Sequence, residues 1–195
     1  INLDHRPEKW AFSNAQLNPY GVFPFRFSAI YGQELTAEVI NDVGVQFHPT
    51  MVGGFLGSRY FDGFVPSVIH EVGQTYFCHK MRRSPIAITL SHLSVLRDAL
   101  DSGYKTIWVL EDDIQVLADP RQLSGYIDKL DALVGENNWD ILFTDRNTLN
   151  TKGEEVPAAG LAKRPNFQPK SMKQYYIQKQ ISPDFIQMGA RFGAY

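Results

Sequence analysis

Three consecutive carboxylates, Glu111-Asp112-Asp113, are the strongest chemical signal in this 195-residue chain. Side by side they repel one another, and such a run costs free energy unless a cation or hydrogen-bond donors offset it. Carboxylate oxygens are hard ligands suited to Mg²⁺ or Mn²⁺. Sites of that kind often use one or two protein carboxylates and take further ligands from a substrate's phosphates. Glu111 and Asp113 stand two apart, so on an extended backbone they point to the same side. They are the candidate metal ligands; whichever does not bind the ion would contact ribose or an ordered water. The competing reading is a solvated acidic turn, because an acid-x-acid triplet alone is a weak motif.

The elements around the acids strengthen the chemical reading. Residues 106–110, Thr-Ile-Trp-Val-Leu, form a short apolar run rich in β-branched and aromatic side chains. That composition predicts a strand buried on both faces, as in a parallel sheet. Before it, residues 84–101 read as a helix, with Pro85 in the first turn, Ile86, Leu90, Leu93, Leu96 and Leu100 at helical spacing, and Gly103 as its stop. A second helix is expected over 120–134, with Leu123, Ile127, Leu130 and Leu133 on one stripe, and a further strand over 139–143. Nearer the start, 1–3 reads as the end of a strand, and Pro7 opens a helix. Residues 25–30 read as a strand ending at Tyr31-Gly32, and Thr36 caps a short helix. The alternation predicts an α/β fold. In such sheets ligands bind beyond the carboxyl ends of the strands. Asp4-His5-Arg6, Glu111–Asp113 and Asp145-Arg146 all fall at such ends.

Several of these residues together resemble a known family. Ser91-His92-Leu93 on a helix, followed about 20 residues on by Leu110-Glu111-Asp112-Asp113, is similar to the "SHL" and "LEDD" motifs of glycosyltransferase family 25. The opening Ile1-Asn2-Leu3-Asp4-His5-Arg6 resembles that family's "INLDRR" strand, and Ala29-Ile30-Tyr31-Gly32 its "A-x-D-G" turn. The family includes bacterial lipopolysaccharide and collagen galactosyltransferases.

The resemblance implies a GT-A-like, Rossmann-type mixed sheet flanked by helices, in a single domain. It further implies a UDP-sugar donor, Mn²⁺ or Mg²⁺, and inverting transfer, with galactose the expected sugar, to a hydroxyl of a glycan or lipooligosaccharide acceptor. By the same carry-over, Glu111 and Asp113 are the metal-side acids. Asn2, Asp4, Arg6, Tyr31, Ser91, His92, Glu111 and Asp112 line the donor site. Two departures stand out: Tyr31 occupies the place of the family's acid, and Lys9 stands where a second Arg is common. The chain also ends at Tyr195, where the family's acceptor-side motif begins, so the expectation is a core over 1–147, a loop-rich insertion over 148–182 and a truncated C-terminal part.

An inverting transfer needs a base for the acceptor hydroxyl, and metal or donors to hold the leaving diphosphate. Asp145, after the 139–143 strand, is the candidate base, with a capping or Arg146-pairing role as its alternative. Asp140, Asp184 and an acid beyond Tyr195 rank behind it. His92 is assigned a catalytic or donor-site role by the resemblance; a lone helical histidine is otherwise more often structural. Arg6 suits a phosphate, and its alternative is a surface pair with Glu8 or Asp4. Arg82 and Arg83 are further phosphate candidates or a solvated turn. The Lys- and Pro-bearing stretch 148–182 reads as a lid or a surface insertion.

Bulk composition bounds the rest. The formal net charge of -2 and an absent basic face argue against nucleic-acid binding. The single cysteine, Cys78, excludes an internal disulfide and a CxxC zinc site and reads as a buried small hydrophobe. No run reaches the roughly 18 apolar residues of a membrane span. The expected location is cytoplasmic, at the inner face of the membrane, with peripheral association through the acceptor. Two other classes stay open: a nucleotidyltransferase, against which stands the absence of glycine in residues 1–10, and a glycosyltransferase-like binding module without activity.

Overall fold

The computed structural model describes residues 1–46, 57–58, 72–73, 75–78, 82–144 and 178–188. It divides into two compact units, Ile1–Pro49 with Leu56–Arg121, and Thr50–Phe55 with Gln122–Tyr195.

The first unit is built on three helices. Helix α1 spans Pro7–Leu17 and starts where expected, with Pro7 at its first position, where a missing N–H costs nothing. Helix α2, Ala37–Asp42, is capped by Thr36, whose Oγ1 accepts from Val39 N at 3.2 Å. Helix α3, Arg83–Asp101, carries Pro85 in its first turn, and Gly103 follows its end at φ +75°, a conformation that favours glycine. Strands β1 (Val45–Gln46), β2 (Gly57–Ser58) and β3 (Thr75–Cys78) pair antiparallel in the order β1-β3-β2. Among the described residues of this unit, Leu17, Ile40, Ile86, Ala87 and Ala99 are buried and apolar.

Three expectations change here. The 84–101 leucine stripe does not face inward: Ile86 is buried, but Leu93, Leu96 and Leu100 are more than half exposed. The Gly32–Glu34 turn packs closely against the start of α3. A methyl group on Gly32 would lie 2.9 Å from the Arg83 carbonyl oxygen. The buried positions of α3 are Ile86, Ala87, Ser91 and Ala99. Residues 106–110 carry no ladder and none is fully buried; their backbone link is at the last residue, where the Ile1 nitrogen donates to Leu110 O at 2.6 Å. A strand buried on both faces needs a paired neighbour along its length, and among the described residues there is one backbone hydrogen bond, at one end. Residues 25–30 likewise reduce to a single parallel bridge, Asn2 to Ser28, with Asn2 N donating to Phe27 O and Ala29 N to Asn2 O, both at 2.9 Å.

The second unit contains helix α4, Leu123–Val134, preceded by a 3₁₀ turn at Pro120–Gln122. Leu130 is buried on the expected stripe, whereas Leu133 is exposed. Strands β4 (Gln178–Gln180) and β5 (Ile186–Met188) pair antiparallel, so part of the stretch read as loop-rich is a strand. Lys129 Nζ reaches Asp184 at 2.9 Å and lies over the Tyr126 ring, which meets Phe185 edge-on. Residues 139–143, expected as a strand, form no ladder; Trp139 Nε1 instead donates to Asp131 Oδ1 at 2.7 Å. Among the described residues no helix is long and apolar enough to cross a membrane.

Candidate functional site

The acidic run sits at the end of 106–110, but its three members have different surroundings. Asp112 and Asp113 form a turn, so the extended geometry that would align Glu111 with Asp113 is not adopted. Glu111 Oε1 lies 3.1 Å from His92 Nε2, both side chains about one-third exposed. Asp112 Oδ2 accepts from Asn2 Nδ2 at 2.7 Å. Asp113 is exposed and makes no side-chain hydrogen bond among the described residues. Like-charge repulsion is thus relieved by giving two of the acids separate partners.

Asn2 is the hub of this arrangement. It is 1% exposed, and a buried amide needs its donors and acceptor met. Its Nδ2 donates to both Arg6 O and Asp112 Oδ2, and its Oδ1 accepts from Arg26 Nε at 2.9 Å. These bonds engage both ends of the Asn2 carboxamide and tie it to the acidic turn. Arg26 also reaches Asp4 Oδ1 at 2.5 Å. The Arg26 hydrogen bond, with help from Ser28, holds the exposed Asp4 carboxyl below its ordinary value.

Helix α1 supports the turn from the other side. Ser13 Oγ donates to Asp112 O at 3.0 Å. The Gln16 carboxamide donates to Ile114 O at 2.8 Å and accepts from Val116 N at 3.0 Å. Ser13, Gln16 and Arg26 were not legible as site residues. Their only sequence signal is the i, i+3 spacing of two polar residues on α1, which many solvated helix faces share.

Ser91 is buried; its Oγ donates to Ala87 O at 2.8 Å and accepts from Ile30 N at 2.9 Å. It ties α3 to the segment leading to Tyr31, so its hydroxyl is committed to the scaffold. Arg6 makes the exposed pair with Glu8 at 3.4 Å, which is the alternative reading of that residue. A cleft of about 470 Å³ is lined by Leu3, Asp4, His5, Ala29, Ile30, Tyr31, Glu34 and Leu35. The His5 and Tyr31 rings meet there edge to face, centroids 4.5 Å apart. Asp145 lies outside the described residues, as do Arg146 and Tyr175-Tyr176.

Two curated proteins match this chain. One is the mouse protein named inactive glycosyltransferase 25 family member 3, 24% identical over 162 residues, 83% of this chain. The other is a glycosyltransferase 25 family member of the mosquito Aedes aegypti, 25% identical over 166 residues, 80% of this chain. This chain is similar to glycosyltransferase 25 family members. It spans 23% and 22% of the length of those two relatives. No family model matches it, and no solved structure does. The likeness covers 83% and 80% of this chain in the two cases.

Proposed function

We propose that this chain is the donor-binding part of a glycosyltransferase with a GT-A-like α/β frame, transferring a hexose, galactose by expectation, from a UDP-sugar to a hydroxyl of a glycan acceptor with inversion. The observation that carries the reading is the convergence of His92, Asn2 and the acidic turn in one compact unit, bearing the residue types that the family likeness assigns to the donor site. The 470 Å³ cleft beside Asn2 offers an aromatic pair and two carboxylates to the nucleoside end.

The acidic turn fits a divalent cation only as a shared site. Among the described residues no three His, Cys, Asp or Glu side chains converge as a metal cage. Glu111 and Asp113 supply hard oxygens, and the donor's phosphates would complete the shell, as is usual for magnesium-type ions. Bound there, Mn²⁺ or Mg²⁺ would stabilise charge on the leaving diphosphate. Within this reading His92, held against Glu111, faces the donor, and Asp145 is the acceptor base.

The test is isothermal titration of UDP and then UDP-galactose, with and without Mn²⁺, on the chain and on Asp113→Ala. Metal-dependent UDP binding that disappears in the variant supports the reading; absence of UDP binding with Mn²⁺ present rejects it. A second reading, a binding module without turnover, is favoured by the mouse relative being named inactive and by Tyr31 in the acid's place. Turnover of UDP-galactose by the chain would exclude it.

A further inference from the structure

The acidic turn has no ladder to hold it. Residues 104–118 contain no regular element, so their backbone groups must find partners elsewhere. Two of them find a single side chain. Gln16 presents a carboxamide, the same chemical group as a peptide unit, and uses both ends of it: Nε2 to Ile114 O at 2.8 Å and Oε1 from Val116 N at 3.0 Å. It thus pairs with the segment as a neighbouring strand would, one residue downstream of Asp113. One helical turn earlier, Ser13, itself buried, fixes the Asp112 carbonyl at 3.0 Å. Leu17, 1% exposed, follows Gln16 in the same helix. A turn of three like charges tends to splay; two α1 side chains i and i+3 apart, on one helix face, oppose that by gripping its backbone.

We propose that Gln16 is a positioning residue for the acidic turn, setting where the Asp113 carboxylate stands relative to Glu111. This rests on the donor-site reading above. Both of these Gln16 hydrogen bonds go to backbone atoms, so its effect on the acids comes through the placement of the turn. Small displacements matter at such sites, since carboxylates and phosphate must reach one ion together within a narrow range of distances.

The experiment compares the chain with Gln16→Met, which keeps length and removes both hydrogen bonds, and with Asn138→Ala. Asn138 donates to Val134 O in the other unit and serves as a stability control. Each is titrated with Mn²⁺ at fixed UDP, and the exchange rate of the Val116 amide is followed. The expected result for Gln16→Met is a Mn²⁺ midpoint raised about tenfold and faster Val116 exchange, while Asn138→Ala keeps the wild-type midpoint at a comparable loss of melting temperature. A Gln16→Met chain that melts lower but keeps the wild-type Mn²⁺ midpoint overturns the proposal and leaves the donor-site reading standing. A wild-type chain that shows no Mn²⁺-dependent UDP binding removes the donor-site reading, and this inference with it.

Discussion

Asn2 donates to Asp112 at 2.7 Å across 110 positions of sequence, from a side chain that is 1% exposed. That single contact joins the first segment of the chain to the acidic turn, while the same amide holds Arg26 through its other end. Asn2→Leu is expected to destabilise the chain by about 1–3 kcal/mol, since it leaves Asp112 and Arg26 without their buried partner. Chemical denaturation of the two proteins measures this. An unchanged midpoint would mean the amide network is not part of the stability of the fold.

Gly32 is needed for its size. An added Cβ would meet Arg83 O at 2.9 Å, Arg83 C at 3.0 Å and Ser84 Cα at 3.1 Å, all of which are backbone and cannot rotate aside. Gly32→Ala should therefore cost about 1–3 kcal/mol, the range of overpacking in a tight contact. A thermal melt equal to wild type would show that the turn and α3 separate easily.

His92 and Glu111 should act as a unit in the proposed reaction. His92→Ala and Glu111→Gln are each expected to lower UDP-galactose turnover by about 10²–10³-fold, the usual scale for losing one group that stabilises charge at the reacting centre. The double variant should fall little further than the weaker single variant. A thermal melt of each variant separates a loss of turnover from a loss of fold, since the pair is part-buried. Additive losses in the double variant would show that the two side chains act separately.

The Asp4 carboxyl, held low by Arg26, predicts a pH dependence with a definite sign. Its folded pKa lies below the ordinary 3.8, so the folded state releases that proton more readily than the unfolded one. The contribution is present above pH 3.8 and is lost as pH falls below it, toward the folded value. Asp4→Asn should flatten the acid limb of the stability profile without altering it near neutrality in shape. Identical acid limbs for the two proteins would remove the Arg26–Asp4 contact as the cause.

Much of the local structure was legible in advance, because local signals decide it. Pro7 at the start of α1, Thr36 capping α2, and Pro85 and Gly103 bounding α3 act over a few residues of backbone, and the structure places them accordingly. The residue types able to do chemistry, Glu111–Asp113 and His92, were equally visible, and so was the likeness to family 25 that their order carries.

Tertiary structure decided the rest. Periodicity marked Leu93, Leu96 and Leu100 as the inner face of α3, yet these are more than half exposed while Ile86, Ala87, Ser91 and Ala99 are buried. An apolar run such as 106–110 states a preference for burial but not which segments will supply ladder partners; among the described residues Ile1 alone bonds to its end. The pairing of His92 with Glu111, of Asn2 with Asp112 and of Gln16 with Ile114 and Val116 joins residues 19 to 110 positions apart. No rule of local spacing reaches that far. Sequence alone determined the helices and the chemical groups on offer; only the packing of α1, α3 and the first segment around the acidic turn decided which carboxylates are committed and that Asp113 is left exposed.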